Sequence, residues 1–273
     1  MPGSPLDGER FRRDLDWILG CPSLFDSGCA LDLPDPNVEF DLEPIERFFE
    51  TKASYRVGYY FESLIRVWLE SLPEISHIEQ SVVIRGETRT LGELDFLFRK
   101  DGQLHHLEVA LKYYLHFPES NHSGSHFVGP NAADTFERKR DRLLGHQLPL
   151  GKQSRPEIAE SSLLVRGMIF YHPDHPDSEE LPARMNPNHR RGRWIRRSEL
   201  ERLETWQKGT ILQKPYWLGP PTTAEAIPDL IGKIEAIDPT RPVMVSIGEN
   251  GDGIYREHSR WFVVPVDWPV IAT

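Results

Sequence analysis

Two carboxylates, Asp95 and Glu108, fall opposite each other in a predicted β-hairpin. The hairpin spans residues 92–115 and turns at Asp101-Gly102, a dipeptide favoured in two-residue type I′ loops. When the strands are paired outward from that loop, Asp95 comes to lie directly opposite Glu108. Opposed Cβ atoms are about 4.5–5.5 Å apart, and like charges at that spacing destabilise a sheet. The pairing therefore predicts a cation, a proton or a basic partner at the two acids.

The segments on either side of the hairpin predict the elements that position these acids. Apolar residues recur every three or four positions before it, in a helical stripe that includes Phe61, Leu64 and Trp68. Glu62 lies on another face of that helix. In order, we predict a helical region from about Leu42 to Glu70, strands at His77–Arg85, Thr90–Arg99 and Leu104–Leu115, a helix from an N-cap at Asn131 to about Gly145, and a strand at Ser162–Tyr171.

The remaining elements extend this core at both ends. We predict a helix over residues 8–19, a connector over 20–44, a short strand near Trp194, a helix from about Ser198 to Trp206, and strands at Pro242–Ile247 and Arg260–Pro265 joined by a loop over 248–259. The predicted segments are an N-terminal helix and connector (1–50), a core (51–175) and a C-terminal elaboration packed on that core in the same domain (176–273). The expected fold class is α/β.

Composition excludes several classes of protein. The 273-residue chain carries a formal net charge of −10, which argues against a protein that coats nucleic acid non-specifically. No apolar run reaches the roughly 18–20 residues of a membrane span. The first residues contain no apolar signal-peptide region, and Cys21 and Cys29 are the only cysteines. A cytoplasmic protein is the expectation.

One local segment is basic despite the acidic whole. Residues 184–202 contain seven arginines and two glutamates. Arginine binds phosphate, and an aromatic side chain among arginines can stack on a base. The predicted nucleic-acid contacts are Arg190, Arg191, Arg193, Trp194, Arg196 and Arg197.

The combination of a helical glutamate and two strand acids resembles the PD-(D/E)XK nuclease superfamily, the restriction-endonuclease-like fold. The matching pieces are Gly58-x-x-x-Glu62, Asp95 and Glu108. More closely, the chain looks like a bacterial family, domain of unknown function 1853. That likeness rests on the segments Tyr55–Glu62, Gly92–Leu97, Leu107–Leu115, Gly129–Asn131, His146–Leu148 and Phe262–Pro269.

The resemblance implies a core of helix, three strands, helix and strand around a mixed four-stranded sheet. It also implies cleavage of phosphodiesters with one or two divalent cations, Mg²⁺ or Mn²⁺, which oxygen ligands suit. Asp95 and Glu108 would be the principal ligands. Glu62 would supply an outer or second-metal contact from the helix.

The chain departs from the superfamily pattern at its lysine. That lysine normally follows the strand glutamate by two residues, and Ala110 stands there. Lys112 lies on the same strand face, about 6.6 Å further along. Lys139, on the following helix, is the second candidate. Either lysine would orient the attacking water or stabilise developing charge.

The leading hypothesis is a Mg²⁺-dependent nuclease or nuclease-like phosphodiesterase acting on DNA or RNA. The alternative, suggested by Ala110, is a catalytically weak or inactive relative that binds nucleic acid or a protein partner. A third reading, acid–base chemistry on a sugar, requires paired carboxyls flanking a sugar-sized cleft. No feature of the sequence indicates such a cleft, so it ranks below the other two.

Overall fold

The structure, a computed structural model, describes residues 8–26, 56–119, 121–122, 124–175, 180–204 and 207–270. Most of the predicted connector, and the start of the helical region from Leu42, lie outside these residues. The chain forms two compact units. The first comprises Met1–Leu111, Lys139–Arg166 and Arg184–Asn186, and the second comprises Lys112–Arg138, Gly167–Ala183 and Pro187–Thr273. Both units draw on the predicted 51–175 core, so they cut across that segment.

The first unit combines helices with antiparallel strands. Its elements are α1 (Gly8–Gly20), α2 (Val57–Ser71), β1 (Ile75–Arg85), β2 (Thr90–Lys100), β3 (Gln103–His116), α3 (Phe136–Arg142), a π-helical segment (Leu143–Gln147), α4 (Leu148–Ser154) and β5 (Ile158–Tyr171). Strands β3 and β5, and helix α3, each have one end in the second unit. The strand order is β1-β2-β3-β5, with β1–β2 and β2–β3 antiparallel.

The predicted hairpin with its turn at Asp101-Gly102 is confirmed. Its pairs run from Lys100 with Gln103 to Phe96 with Leu107, in the predicted register. The turn residues Asp101 and Gly102 have φ of 52° and 78°, as a type I′ turn requires.

Helix α2 also follows the prediction. Phe61, Leu64, Ile65 and Trp68 are at most 1% exposed, so the apolar stripe is the buried face. The neighbouring Tyr60 donates its hydroxyl proton to the buried Asp14 of α1 across 2.6 Å. This hydrogen bond between the two helices gives the buried carboxylate of Asp14 a partner.

The helix after β3 differs from the prediction. Asn131 is not its N-cap, because Ala132 has φ of 56° and interrupts any helix there. The helix begins at Phe136, and the side-chain oxygen of Thr135 accepts the Arg138 N–H at 3.3 Å. The predicted end at Gly145 falls inside the π-helical segment.

The second unit has more regular structure than the sequence indicated. Its further elements are β4 (Phe127–Val128), β6 (Arg190–Arg196), a 3₁₀ helix (Arg197–Arg202), β7 (Lys208–Ile211), β8 (Glu225–Ala226), α5 (Ile227–Glu235), β9 (Val243–Gly251) and β10 (Ile254–Val264). The strand order is β5-β6-β10-β9-β7-β8, in which β6 is parallel to both neighbours. The predicted helix from Ser198 is a 3₁₀ helix ending at Arg202, and Trp206 lies outside the described residues.

The predicted loop over 248–259 is wrong. Strands β9 and β10 continue through it and turn at Asp252 and Gly253, whose φ values are 52° and 77°. The sequence did not indicate this extension, because its side chains are mostly polar. Only Tyr255 among residues 252–257 is buried, so the segment has no alternating apolar pattern. The α/β class is nevertheless confirmed. No helix in the described part of the chain is long and apolar enough to span a membrane.

Candidate metal centre

Asp95 and Glu108 lie where the β2–β3 ladder ends. The last pair is Phe96 with Leu107, one position before them. Oδ2 of Asp95 then accepts the backbone N–H of Val109 at 2.9 Å. The Asp95 side chain therefore takes the place of a backbone carbonyl as the acceptor for Val109. Both acids lie where β2 and β3 separate.

Glu108 is held by two side chains that donate to it. The carboxylate is fully buried; Oε1 lies 2.8 Å from His106 Nε2, and Oε2 accepts from Gln147 Nε2 at 2.8 Å. Nδ1 of the fully buried His106 lies 3.3 Å from the Ser161 hydroxyl. A ring protonated on Nε2 can donate to Glu108 and accept from Ser161, which fixes the orientation of the carboxylate.

The carboxylates of Glu62 and Asp95 are short of compensating positive charge. Burial, followed by the charge of Glu93, raises the pKa of Glu62 to about 7. Burial, followed by the charge of Glu108, raises the pKa of Asp95 to about 7. The helix and the two strands thus bring together three predicted site acids, and a fourth acid, Glu93, joins them electrostatically.

The two candidate lysines have different surroundings. The ammonium group of Lys139 lowers the pKa of both Glu62 and Asp95, partly opposing the increase due to burial. Lys112 instead donates to Asp134 at 2.8 Å, within the second unit. Lys139 is therefore the candidate lysine whose charge acts on the predicted ligands.

A solvent-accessible cavity of about 330 Å³ opens beside Asp95. Its lining residues are Leu91, Gly92, Glu93, Asp95, Arg142, His146, Gln147 and Leu150. This volume is at the lower end of the range of about 300–1,000 Å³ typical of small-ligand sites. The cavity gives a small ion or a phosphate access to Asp95.

The donors present fit a hard divalent cation. Asp95 and Glu62 offer carboxylate oxygens that repel one another when both are ionised, and a cation relieves that repulsion. Gln147 Oε1 is buried and has no hydrogen-bond partner among the described residues. Oxygen donors of this kind suit Mg²⁺ or Mn²⁺ better than softer metals. Glu108 fits as an oriented ligand, with lone pairs left beyond its two hydrogen bonds.

Part of this site was not predicted from the sequence. The position of His106 beside Glu108 could have been predicted from the sequence, because residues two apart on a strand share a face. For Gln147 the signal is limited to the His146–Leu148 segment of the family resemblance, and its contact with Glu108 depends on the π-helical segment. Arg142 and His146 belong to the same stretch of chain.

The predicted basic segment forms strand β6 and the start of the 3₁₀ helix. Arg190 and Arg191 are exposed, whereas Arg193, Arg196 and Arg197 are half-buried. Arg197 donates to the carbonyls of Ile234 and Asp238 at the end of α5, at 2.8 and 3.0 Å. It therefore has a structural role there.

The expectation that Trp194 stacks on bases is not met. Its side chain is 1% exposed, and its indole N–H donates to the His116 carbonyl at 3.0 Å. Alternation along β6 turns Trp194 into the core, where it packs against Trp268 with ring centroids 5.0 Å apart. Base stacking needs an open ring face, which Trp194 lacks.

A second group of potential ligands, in the second unit, was also not anticipated. Ligand atoms of His172, Asp174 and Glu199 lie within 4.8 Å of one another. Arg202 already pairs with this group, bonding both Asp174 oxygens at 2.8 Å and approaching Glu199 at 3.3 Å. The cluster is thus an ion-pair network centred on Arg202, and the spacing of its residues in sequence gave no signal of it.

Comparison with known proteins gives one match. The family described as Domain of unknown function (DUF1853) matches residues 13–264. No curated protein and no solved structure matches the chain.

Proposed function

The chain belongs to the DUF1853 family, and we propose that this member is a divalent-metal-dependent nuclease that cleaves phosphodiester bonds in DNA or RNA. The main support is that burial, together with neighbouring acids, raises the pKa of both Asp95 and Glu62 to about 7, and that Asp95 lines an open cavity. Strongly perturbed carboxylates in a cleft are candidates for a functional site. The order α2, β1, β2, β3, α3, β5 is consistent with a restriction-endonuclease-like core.

In this proposal each residue has a defined role. A bound Mg²⁺ or Mn²⁺ would activate a water molecule and neutralise charge on the phosphate. Asp95 and Glu62 hold the ion, and Glu108 is held towards it by His106 and Gln147. Lys139 stabilises the negative charge that develops on the phosphate, taking the place of the lysine absent at Ala110. The exposed Arg190 and Arg191 contact nucleic acid elsewhere, and the protein acts in the cytoplasm.

Metal binding and cleavage test the proposal together. Asp95→Asn should abolish binding of Mn²⁺ in calorimetric titration and lower Mg²⁺-dependent cleavage of DNA or RNA by at least about 100-fold, the typical cost of losing a catalytic group. Glu62→Gln should weaken Mn²⁺ binding. Glu70→Gln is the matched control on the same helix, because Glu70 forms a surface ion pair with Arg66 at 2.8 Å.

Three results would count against the nuclease proposal or against its interpretation. Wild-type protein that neither binds Mn²⁺ nor cleaves single- or double-stranded DNA or RNA would contradict the proposal. Equal cleavage by wild type and Asp95→Asn would also contradict it. An effect of Glu70→Gln as large as that of Glu62→Gln would show that the loss is one of general stability.

One observation favours the second candidate, a non-catalytic protein that binds nucleic acid or a protein partner. Both oxygens of Glu108 already accept hydrogen bonds, and the usual lysine position is Ala110. Under this reading the three acids are a relic of a metal site. Nucleic-acid binding that persists in EDTA, without turnover in Mg²⁺ or Mn²⁺, would identify it.

A further inference from the structure

A second cavity adjoins the one at Asp95 in the first unit. Its volume is about 320 Å³, and it is lined by Arg89, Thr90, Leu91, His146, Leu150 and Gln153. Leu91, His146 and Leu150 line both cavities. The two cavities therefore follow one another along β2 and the π-helical segment, beginning at the candidate metal ligands.

Exposed hydrogen-bond donors line this path. Arg142, His146, Arg89 and Gln153 are exposed, and none makes a side-chain hydrogen bond or ion pair with any residue that the structure describes. Some other arginines of the first unit are engaged; Arg66, for example, pairs with Glu70 at 2.8 Å. Arg142 thus shares a cavity with Glu93 and Asp95, and neither Arg142 nor Arg89 is paired with a carboxylate that the structure describes.

Close backbone packing determines where His146 lies. A Cβ atom on Gly92 would lie 2.6 Å from Leu150 Cδ2 and 3.7 Å from His146 Cε1. Gly92 thereby lets the π-helical segment approach β2 closely. π-Helical turns are rare and frequently occur at functional sites. In this chain the turn brings His146 to both cavities and Gln147 to Glu108.

We propose that the two cavities form a subsite for the phosphodiester backbone on one side of the scissile phosphate. Arg142 and His146 contact the phosphate nearest the acids, and Arg89, with Gln153, contacts the next one. This inference rests on the proposed function, because it assigns the scissile phosphate to the acid cluster. Arginine presents a planar fork of N–H donors that matches phosphate oxygens, and each contact offsets the repulsion that the acids exert on the backbone.

Salt-dependent binding tests the subsite without any cleavage. Fluorescein-labelled single-stranded DNA and RNA of one sequence are titrated in EDTA, with anisotropy read over a series of salt concentrations. Each phosphate contact contributes about 0.7 to the slope of log K against log [salt] for a single strand. Arg142→Gln and Arg89→Gln should each lower the magnitude of that slope by about this amount and weaken binding about tenfold.

Arg99→Gln is the matched control. Arg99 is an exposed arginine of β2; it donates to the Gly102 carbonyl at 2.8 Å and lines neither cavity. This variant loses the same charge and should keep the slope within about half of one contact's contribution. Comparison of the DNA and RNA probes shows which backbone the subsite prefers.

The outcomes distinguish this inference from the nuclease proposal. Arginine-dependent slopes without any cleavage by the wild type would support the subsite and overturn the nuclease proposal. Cleavage by the wild type with slopes unchanged in both variants would overturn the subsite alone. A wild type that binds neither probe would overturn the subsite, and so would an equal effect of Arg99→Gln.

Discussion

At the scale of single residues, the negative charge of the acids in the candidate site is only partly neutralised by nearby positive charge. Burial and neighbouring acids raise the pKa of Glu62 and of Asp95, and Lys139 offsets only part of that increase. Glu108 differs from the other two because two protein donors hold it directly. The ionised acids therefore store unfavourable energy that a metal ion or a proton releases.

The raised pKa values predict how the stability of the metal-free protein depends on pH. The folded protein binds protons at Glu62 and Asp95 more tightly than the unfolded chain does, because their pKa values rise from 4.5 and 3.8 to about 7. Their contribution is fully present below the unfolded pKa and is lost as pH rises through about 7. Urea unfolding in EDTA should therefore show decreasing stability from about pH 4.5 to 7.

The variant Glu62→Gln should flatten that pH dependence, since glutamine does not titrate. Glu70→Gln should leave it as in the wild type, because Glu70 forms an exposed pair with Arg66. If the wild type and Glu62→Gln show parallel pH profiles, the inferred shift at Glu62 is wrong.

At the scale of elements, the site depends on how closely the π-helical segment and α4 approach β2. Gly92 allows the contact, and Leu150 fills it. Next to it, the fully buried His106 lies against Gly151 of α4, where a side chain would overlap its ring. Gly92 and Gly151 therefore leave the space that lets His106 and Gln147, the two donors to Glu108, lie where they do.

Gly92→Ala should destabilise the protein by about 1–3 kcal/mol, the usual cost of overpacking. Its added methyl group would stand 2.6 Å from Leu150 Cδ2, so the buried Leu150 side chain must repack. Urea denaturation measures the change. Gly145→Ala is the control, because nothing lies within 4 Å of its added Cβ, and alanine favours helix. Equal losses in both variants would contradict the importance of the close contact at Gly92.

At the scale of the whole molecule, an acidic chain must attract a polyanion through a local basic surface. The net charge of −10 repels phosphate at long range, which makes local cations and bound metal decisive. Two compact units share strands β3 and β5, and the acid cluster lies within the first of them. Metal binding is therefore expected to stabilise the fold of that unit.

The size of this stabilisation can be predicted. At a Mn²⁺ concentration of about 100 times Kd, linkage gives about 2.7 kcal/mol of added stability. Urea unfolding of the wild type with and without Mn²⁺ measures it, and Asp95→Asn should show none of the gain. Stabilisation that persists in Asp95→Asn would mean that the ion binds elsewhere.

The sequence determined the features that depend on local rules. Asp101-Gly102 fixed the turn and the register, and period 3.6 identified the buried face of α2. These predictions held because turn chemistry and amphipathic periodicity act over a few residues. The same rules missed the continuation of β9 and β10, where polar side chains obscure strands that are stabilised by pairing with each other.

Only the tertiary structure decided which side chains surround the acids. The sequence placed Lys112 ahead of Lys139 as a candidate, whereas the fold pairs Lys112 with Asp134 and lets the charge of Lys139 act on Glu62 and Asp95. Trp194 was a predicted nucleic-acid contact, and the fold instead buries it in the core. The contact of Gln147 with Glu108 joins positions 39 residues apart through a π-helical turn. Such contacts arise from the packing of separate elements, and no local pattern encodes them.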